Sequence, residues 1–166
     1  MSATSPAQGL GNLAVSRWFY SLVNRGHEPR EEDVKGFNDN IETLTVDNGD
    51  FRRVLYTGKH LQLVLMTLQP GEEIGSEVHD DRDQFFRFEE GEGVVDIDGA
   101  ENRVEDGSGV VVPAGARHNV RNTGSAPLKL YTLYGPPEHK DGVTQATKAE
   151  AEARHHDEEW DGATTE

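Results

Sequence analysis

Residues 71–91, GEEIGSEVHDDRDQFFRFEEG, and residues 107–122, GSGVVVPAGARHNVRN, carry two spaced patterns from which the rest of the chain is read. In the first, Gly71 is followed after five residues by Glu77-Val78-His79, after four more by Gln84 and after six more by Gly91. Residues two apart on a strand point to one face, so Glu77 and His79 project together. The polar run Asp80-Asp81-Arg82-Asp83 reads as a turn that returns the chain antiparallel, with Gln84 facing the same pair from the neighbouring strand. In the second pattern, Gly107 stands five residues before Pro113-Ala114-Gly115, and His118 and Asn122 follow after two and three further residues. Pro113 and Gly115 suit positions i+1 and i+3 of a tight turn that aims the next strand, and His118 with it, inward.

Outward from these stretches the hydrophobic period is two. Short β-prone runs bounded by Gly, Pro and Asp occupy 41–46, 51–56, 61–69, 84–89, 94–98, 109–112, 118–122 and 128–134, and each reads as a strand. Asp98-Gly99 is a hairpin turn signal. Phe86 and Phe88 share the parity of Gln84 and form an apolar wall, whereas Phe85 points to the opposite face. Strands of this kind close into a sandwich, jelly roll or small barrel. The fold class is therefore all-β.

Composition agrees. A chain of 166 residues is the size of one domain, and Gly 18 with 34% hydrophobic residues suits a turn-rich β chain. The net charge of −15 argues against nucleic-acid phosphates and anionic lipid as partners. With Cys 0, a metal would be held by His, carboxylate or amide oxygen. No stretch has the length of a membrane span and no compact apolar secretory core is seen, so a cytoplasmic location is expected. Only five of the 16 bases are Lys, which fits an ordinary acidic surface better than one adapted to high salt.

The two ends read differently. Residues 1–27 contain none of the 31 acids. There Leu13, Trp18 and Leu22, beside Val15, Phe19 and Val23, recur near helical spacing up to Gly26. Two Arg residues give thin support to a transit peptide, and a helix packed on the domain or on a dimer partner fits better. Thr147 and Glu150 form a capping box for a helix over Lys148–Arg154. The domain reading is 1–36 as an N-terminal extension, 37–138 as the barrel and 139–166 as a C-terminal helix with an acidic tail. His27, His139, His155 and His156 are assigned no role.

The two patterned stretches resemble the paired motifs of the cupin superfamily, a double-stranded β-helix or jelly-roll barrel. The resemblance extends over roughly residues 40–136, including 51–59 and 128–134, which look like small microbial cupins. The family's first motif reads His-x-His and then Glu; here Glu77 stands for the first His and Gln84 for the Glu. By this resemblance Glu77, His79, Gln84 and His118 are the metal ligands, and Gly71, Gly91, Gly107, Pro113, Gly115 and Asn122 are structural. A metal-free cupin with His79 and His118 as barrel-lining polar residues is the competing reading. Against it, each replacement is still an oxygen donor.

Two imidazoles, one carboxylate and one amide suit Zn, Fe, Mn or Ni as a single divalent ion. With Gln84 neutral, the ion keeps net positive charge and serves as a Lewis acid. That favours isomerase-like or lyase-like work on a sugar-like or hydroxy-carbonyl small molecule. The same ligands admit a non-haem iron or manganese dioxygenase, and a non-catalytic small-molecule binding cupin is the third reading. Tyr131 and Tyr134 are the candidates for presenting a hydroxyl to the pocket, with Lys59 or His60 for an anionic substrate. The resemblance also implies a homodimer.

Overall fold

The computed structural model describes residues 36–154 and 157–166. The helix expected over 13–23, the acid-free segment around it, His27, His155 and His156 lie outside the described residues.

The first element departs from the sequence reading. Residues 41–46 were expected as a strand, and Ile41–Asp47 is a helix, α1. Its alternating Ile, Thr and Thr also satisfy a helical spacing, and the cap goes with the helix. Asn40 is extended at φ −75°, and its Oδ1 accepts the Thr43 N–H at 3.0 Å, which satisfies one of the orphan donors of the first turn. Thr45 then turns its hydroxyl back onto the Ile41 carbonyl at 2.7 Å, so the β-branched side chain is accommodated inside the helix.

Among the described residues nine strands follow: β1 (Arg52–Thr57), β2 (Gln62–Leu68), β3 (Asp83–Glu90), β4 (Glu92–Ile97), β5 (Ala100–Glu105), β6 (Gly109–Val112), β7 (His118–Asn122), β8 (Leu128–Gly135) and β9 (Thr144–Gln145), before the helix α2 (Lys148–Arg154). They form two antiparallel sheets, ordered β6-β3-β8-β2-β1-β9 and β5-β4-β7. Strand β5 escapes a pattern search because only Val104 of its six residues is buried. The hairpin that leads into it is as read: Ile97 pairs with Ala100, and Asp98 and Gly99 take φ of 50° and 85°, as a two-residue I′ turn requires. Strand β9 is too short for periodicity to reveal, and it pairs Gln145 with Arg52 at the sheet edge.

One core draws on both sheets, with Val64, Met66, Phe86, Phe88, Leu128 and Leu130 from the larger and Val95, Val104 and Val120 from the smaller. The alternation of β3 and β8 sends Gln84, Phe86, Phe88, Thr132 and Tyr134 inward. Gly91 shows how tightly the sheets turn into one another. Its φ is +90°, and a Cβ there would stand 2.5 Å from the Pro127 carbonyl oxygen and 3.0 Å from the Leu128 Cα, so only glycine fits.

Helix α2 keeps one half of the expected capping box, and the other half is shifted by one residue. The Glu150 N–H donates to Thr147 Oγ1 at 3.3 Å, while the Glu150 carboxylate accepts from the Ala146 N–H.

Candidate metal centre

The site begins with a register. Glu77 and His118 form an isolated antiparallel bridge in which each backbone N–H donates to the other's carbonyl at 2.9 Å. Directly opposed residues present side chains to the same face, so this pairing brings a carboxylate and an imidazole together. His79, two residues on, shares that face. The Gly115 N–H donates to the His79 carbonyl at 2.8 Å and extends the pairing.

The turn that aims His118 is shifted from the expected positions. The Ala116 N–H donates to the Pro113 carbonyl at 3.2 Å, which makes Pro113 residue i and Gly115 residue i+2. At i+2 of a type II turn φ must be positive, and Gly115 has +83°. Gly71 and Gly107 also have positive φ. Asn122 is buried, with its amide donating to the Leu68 and Ala126 carbonyls at 2.8 Å and its Oδ1 accepting from Gly124. These are structural roles, as the motif implied.

Gln84 reaches the site by a different route from the one expected. Its strand does not lie beside Glu77 and His79; it runs between β6 and β8, paired with Val112 and Tyr134. The side chain instead crosses the barrel interior. Its Nε2 donates to Thr132 Oγ1 at 3.0 Å, which orients the amide, and its Oε1 stands 2.9 Å from His118 Nε2.

Four acceptor-bearing groups therefore converge. Glu77 Oε2 lies 3.5 Å from His79 Nε2 and 4.0 Å from His118 Nε2, and ligand atoms of these three residues all fall within 4.8 Å of one another. Two ligands each about 2.1 Å from one ion can stand at most about 4.2 Å apart, so both measured separations are compatible with a shared ion. Two further observations favour a cation. His79 Nε2 is buried and has no hydrogen-bond partner among the described residues. His118 turns both ring nitrogens toward oxygens, Nδ1 to the Ala116 carbonyl at 3.3 Å and Nε2 to Gln84, yet a neutral imidazole has one N–H. With that proton on Nε2 the ring donates to Gln84 Oε1; with it on Nδ1, lone pairs of Nε2 and Oε1 face each other and a cation can take the place between them. The residues present fit one divalent ion.

The electrostatics link the same groups. Burial pushes the Glu77 carboxyl up, but His79, Arg52 and His118 outweigh it and hold the group below its usual range. Burial pushes His79 down, while Glu77 and Glu138 more than compensate and raise it. His118 is lowered, chiefly by burial. Glu138 Oε2 lies 3.6 Å from His79 Nδ1 and is itself paired with Arg82. A carboxylate behind the far nitrogen orients the ring and leaves the near lone pair for an ion.

The tyrosine candidates separate. Tyr134 is buried among the site residues, edge-on to His79 at 5.9 Å between ring centroids, and burial and Glu77 raise its hydroxyl so that it stays protonated. Tyr131 is corrected: it has the opposite parity on β8 and packs against Phe85 on the outer face. Lys59 and His60 are exposed in the β1–β2 turn. Phe86 and Phe88 stack as the apolar wall, with Phe86 5.9 Å from the His118 ring.

Several neighbours escaped the sequence reading. His139 is buried and meets Tyr134 edge-on at 5.3 Å. Glu138 sits in an aperiodic segment after two prolines, where strand patterning gives no signal. Arg52 left a signal that went unread, because it shares the parity of the core residue Val54 on β1.

The comparisons agree with the fold. A family model described as a cupin domain matches residues 64–134. The chain is 48% identical over 125 residues to an uncharacterized protein, YrkC, of Bacillus subtilis (strain 168), covering 72% of this chain and 67% of that one. A crystal structure of a Bacillus halodurans protein is 47% identical and superposes with a TM-score of 0.70 over 76% of this chain and 97% of its own. An uncharacterized Klebsiella pneumoniae protein with a double-stranded β-helix domain is similar in fold, with a TM-score of 0.52 at 17% identity over 61% of this chain and 91% of its own. Among the described residues no helix is long and apolar enough to cross a membrane.

Proposed function

Since this chain belongs to the cupin superfamily, we infer that it binds one divalent metal inside the barrel and acts on a small sugar-like or hydroxy-carbonyl molecule. Glu77, His79, His118 and Gln84 would hold the ion. The observation that carries this reading is the convergence of ligand atoms of Glu77, His79 and His118 within 4.8 Å of one another, with Gln84 Oε1 2.9 Å from His118 Nε2. A bound ion would supply Lewis acidity toward a substrate oxygen, and the single carboxylate among the donors leaves it electron-poor.

The chain's own residues define the rest. Thr132 fixes the orientation of Gln84, Glu138 backs His79, and the Ala116 carbonyl backs His118. Tyr134 stays neutral and can donate its proton to an oxygen. Phe86 and Phe88 exclude water from one wall of the site. A second reading, oxygen chemistry at iron or manganese, is favoured by one observation: Glu77, His79 and His118 form a set of two His and one carboxylate, the composition of non-haem iron centres.

Elemental analysis of protein purified without a chelating tag, after growth with metals supplied, tests the shared premise. A near-stoichiometric metal that is lost in Glu77→Ala and His79→Ala is expected; metal at background in the native chain would overturn both readings. Anaerobic proton exchange into hydroxy-carbonyl compounds then supports the first, and oxygen uptake with enols and diols the second.

A further inference from the structure

We propose that Arg52 is the anchor for a substrate carboxylate, which makes the substrate a small acid bearing a hydroxyl or carbonyl oxygen beside its carboxylate. The metal part of this picture rests on the reading above; the carboxylate part stands on Arg52 itself. Among the described residues Arg52 is the only Lys or Arg in the buried set, at 6% exposure. It points inward from β1, and its charge acts on both Glu77 and Tyr134. A guanidinium carries five N–H donors; among the described residues Nη1 donates to Gln145 Oε1 at 2.9 Å and the guanidinium carbon lies 5.5 Å from the Phe51 ring centroid, and no other donor of the group is seen to be spent. Its Nε is buried with no partner among the described residues. A buried cation with unspent donors is costly unless something meets it, and the planar fork matches a carboxylate in two bonds.

The surroundings single out this side of the barrel. Arg52 and Glu77 line one cavity of about 230 Å³ together with Phe51, Ser76, Lys148 and Glu152, the last two ion-paired at 3.7 Å, with room for about seven or eight waters at ~30 Å³ each and hence for a small acid. Glu77 borders both this cavity and the donor cluster, so a molecule whose carboxylate lies on Arg52 extends its adjacent oxygen toward the ligand set. A second cavity, of about 370 Å³, opens on the His79 side and is lined by Asp80, Asp81, Glu138, Glu159 and Arg82. Its one Arg is already committed to Asp81, Glu138 and the Pro137 carbonyl, so that mouth is anionic and repels an acid. The larger opening thus has an excess of carboxylates, whereas in the smaller one the acids and bases are equal in number, Lys148 is paired with Glu152 and Arg52 keeps unspent donors.

The test compares lactate with lactamide, which differ only in the charge and fork of the carboxylate, on the full chain loaded with Co²⁺ and on the metal-free chain, by calorimetry. Lactate is expected to bind at least about tenfold more tightly than lactamide to the Co²⁺-loaded protein, and more weakly but with the same preference to the metal-free protein. Arg52→Gln and Arg52→Met should erase the preference while Co²⁺ affinity stays within about threefold, and Lys148→Gln, at the partly exposed rim, should change it less than about threefold. Equal binding of the two probes by the native chain overturns the proposal without any variant, as does a preference that survives in both Arg52 variants. Failure to bind Co²⁺ would instead sink the metal reading. In that case the metal-free comparison decides Arg52 by itself, with equal or no binding of the probes counting against it.

Discussion

Replacing Glu77 by Gln keeps the size of the side chain and removes the one formal charge among the four donors, so it isolates what that charge does for the ion. Glu77 Oε2 lies 3.5 and 4.0 Å from the two imidazole nitrogens. Unit charges about 4 Å apart interact by ~4 kcal/mol at an effective dielectric of about 20, and a divalent ion held among these donors would feel more. After the Gln dipole is allowed for, a loss of about 2.7 kcal/mol, or roughly a hundredfold in metal affinity, is a floor. The assay is scanning calorimetry of chelator-stripped protein with and without metal at about a hundred times the native Kd. There the native chain should gain about 2.7 kcal/mol, which at about 4 °C per kcal/mol for a domain of this size raises Tm by roughly 11 °C. For Glu77→Gln the same metal concentration only equals its Kd, the gain falls to about 0.4 kcal/mol, and the shift should be under about 2 °C. Glu152→Gln, on the cavity rim beside Lys148 and away from the donors, should keep the native shift. A Glu77→Gln protein that folds and retains the full metal-induced shift would refute the reasoning.

Two further outcomes follow from the same geometry. Gly91→Ala adds a Cβ 2.5 Å from a backbone carbonyl at φ +90°, so it should lower unfolding free energy by roughly 3 kcal/mol in denaturant titrations, from left-handed strain of about 1–2 kcal/mol together with the clash; a loss under about 1 kcal/mol would mean that the β3–β4 turn has slack. Metal binding must displace protons from the imidazoles, and because Glu77 and Glu138 outweigh burial and raise His79 from its ordinary value, Co²⁺ affinity should begin to fall, as pH is lowered, at a higher pH than an unperturbed imidazole would give. Glu138→Gln removes one of the groups that raise His79 and should move that fall to lower pH; an unchanged pH midpoint would dissociate Glu138 from the site.

Much of the barrel was legible because its elements declare themselves locally. Strands such as β3 and β8 alternate strictly, Asp98-Gly99 takes the positive φ values that a two-residue hairpin demands, and Gly115 and Asn122 have backbone duties that few other residues perform. Where the reading failed, a local signal was ambiguous or missing. The 41–46 run fits both periods, and the cap, in which the Thr43 N–H donates to Asn40 Oδ1, goes with the helix. Strand β5 turns nearly all its side chains to solvent, so it has no apolar stripe to detect.

The candidate site divides along the same line. The donor types and their spacing lie in the sequence: the Glu77-x-His79 parity puts two of them on one face, and the motif resemblance groups them with His118, while the Glu77–His118 register that joins them is tertiary. The tertiary structure alone also decided which remote groups face that cluster. Gln84 arrives across the interior from a strand that does not pair with the 77–79 segment, Glu138 comes from an aperiodic loop, and Arg52 enters from β1, on the same side of the barrel as Glu77. Sequence spacing encodes side-chain direction along one strand, a property of local backbone geometry. The meeting of side chains from different strands depends on strand order and on how the two sheets close over a shared core, and no local pattern carries that information.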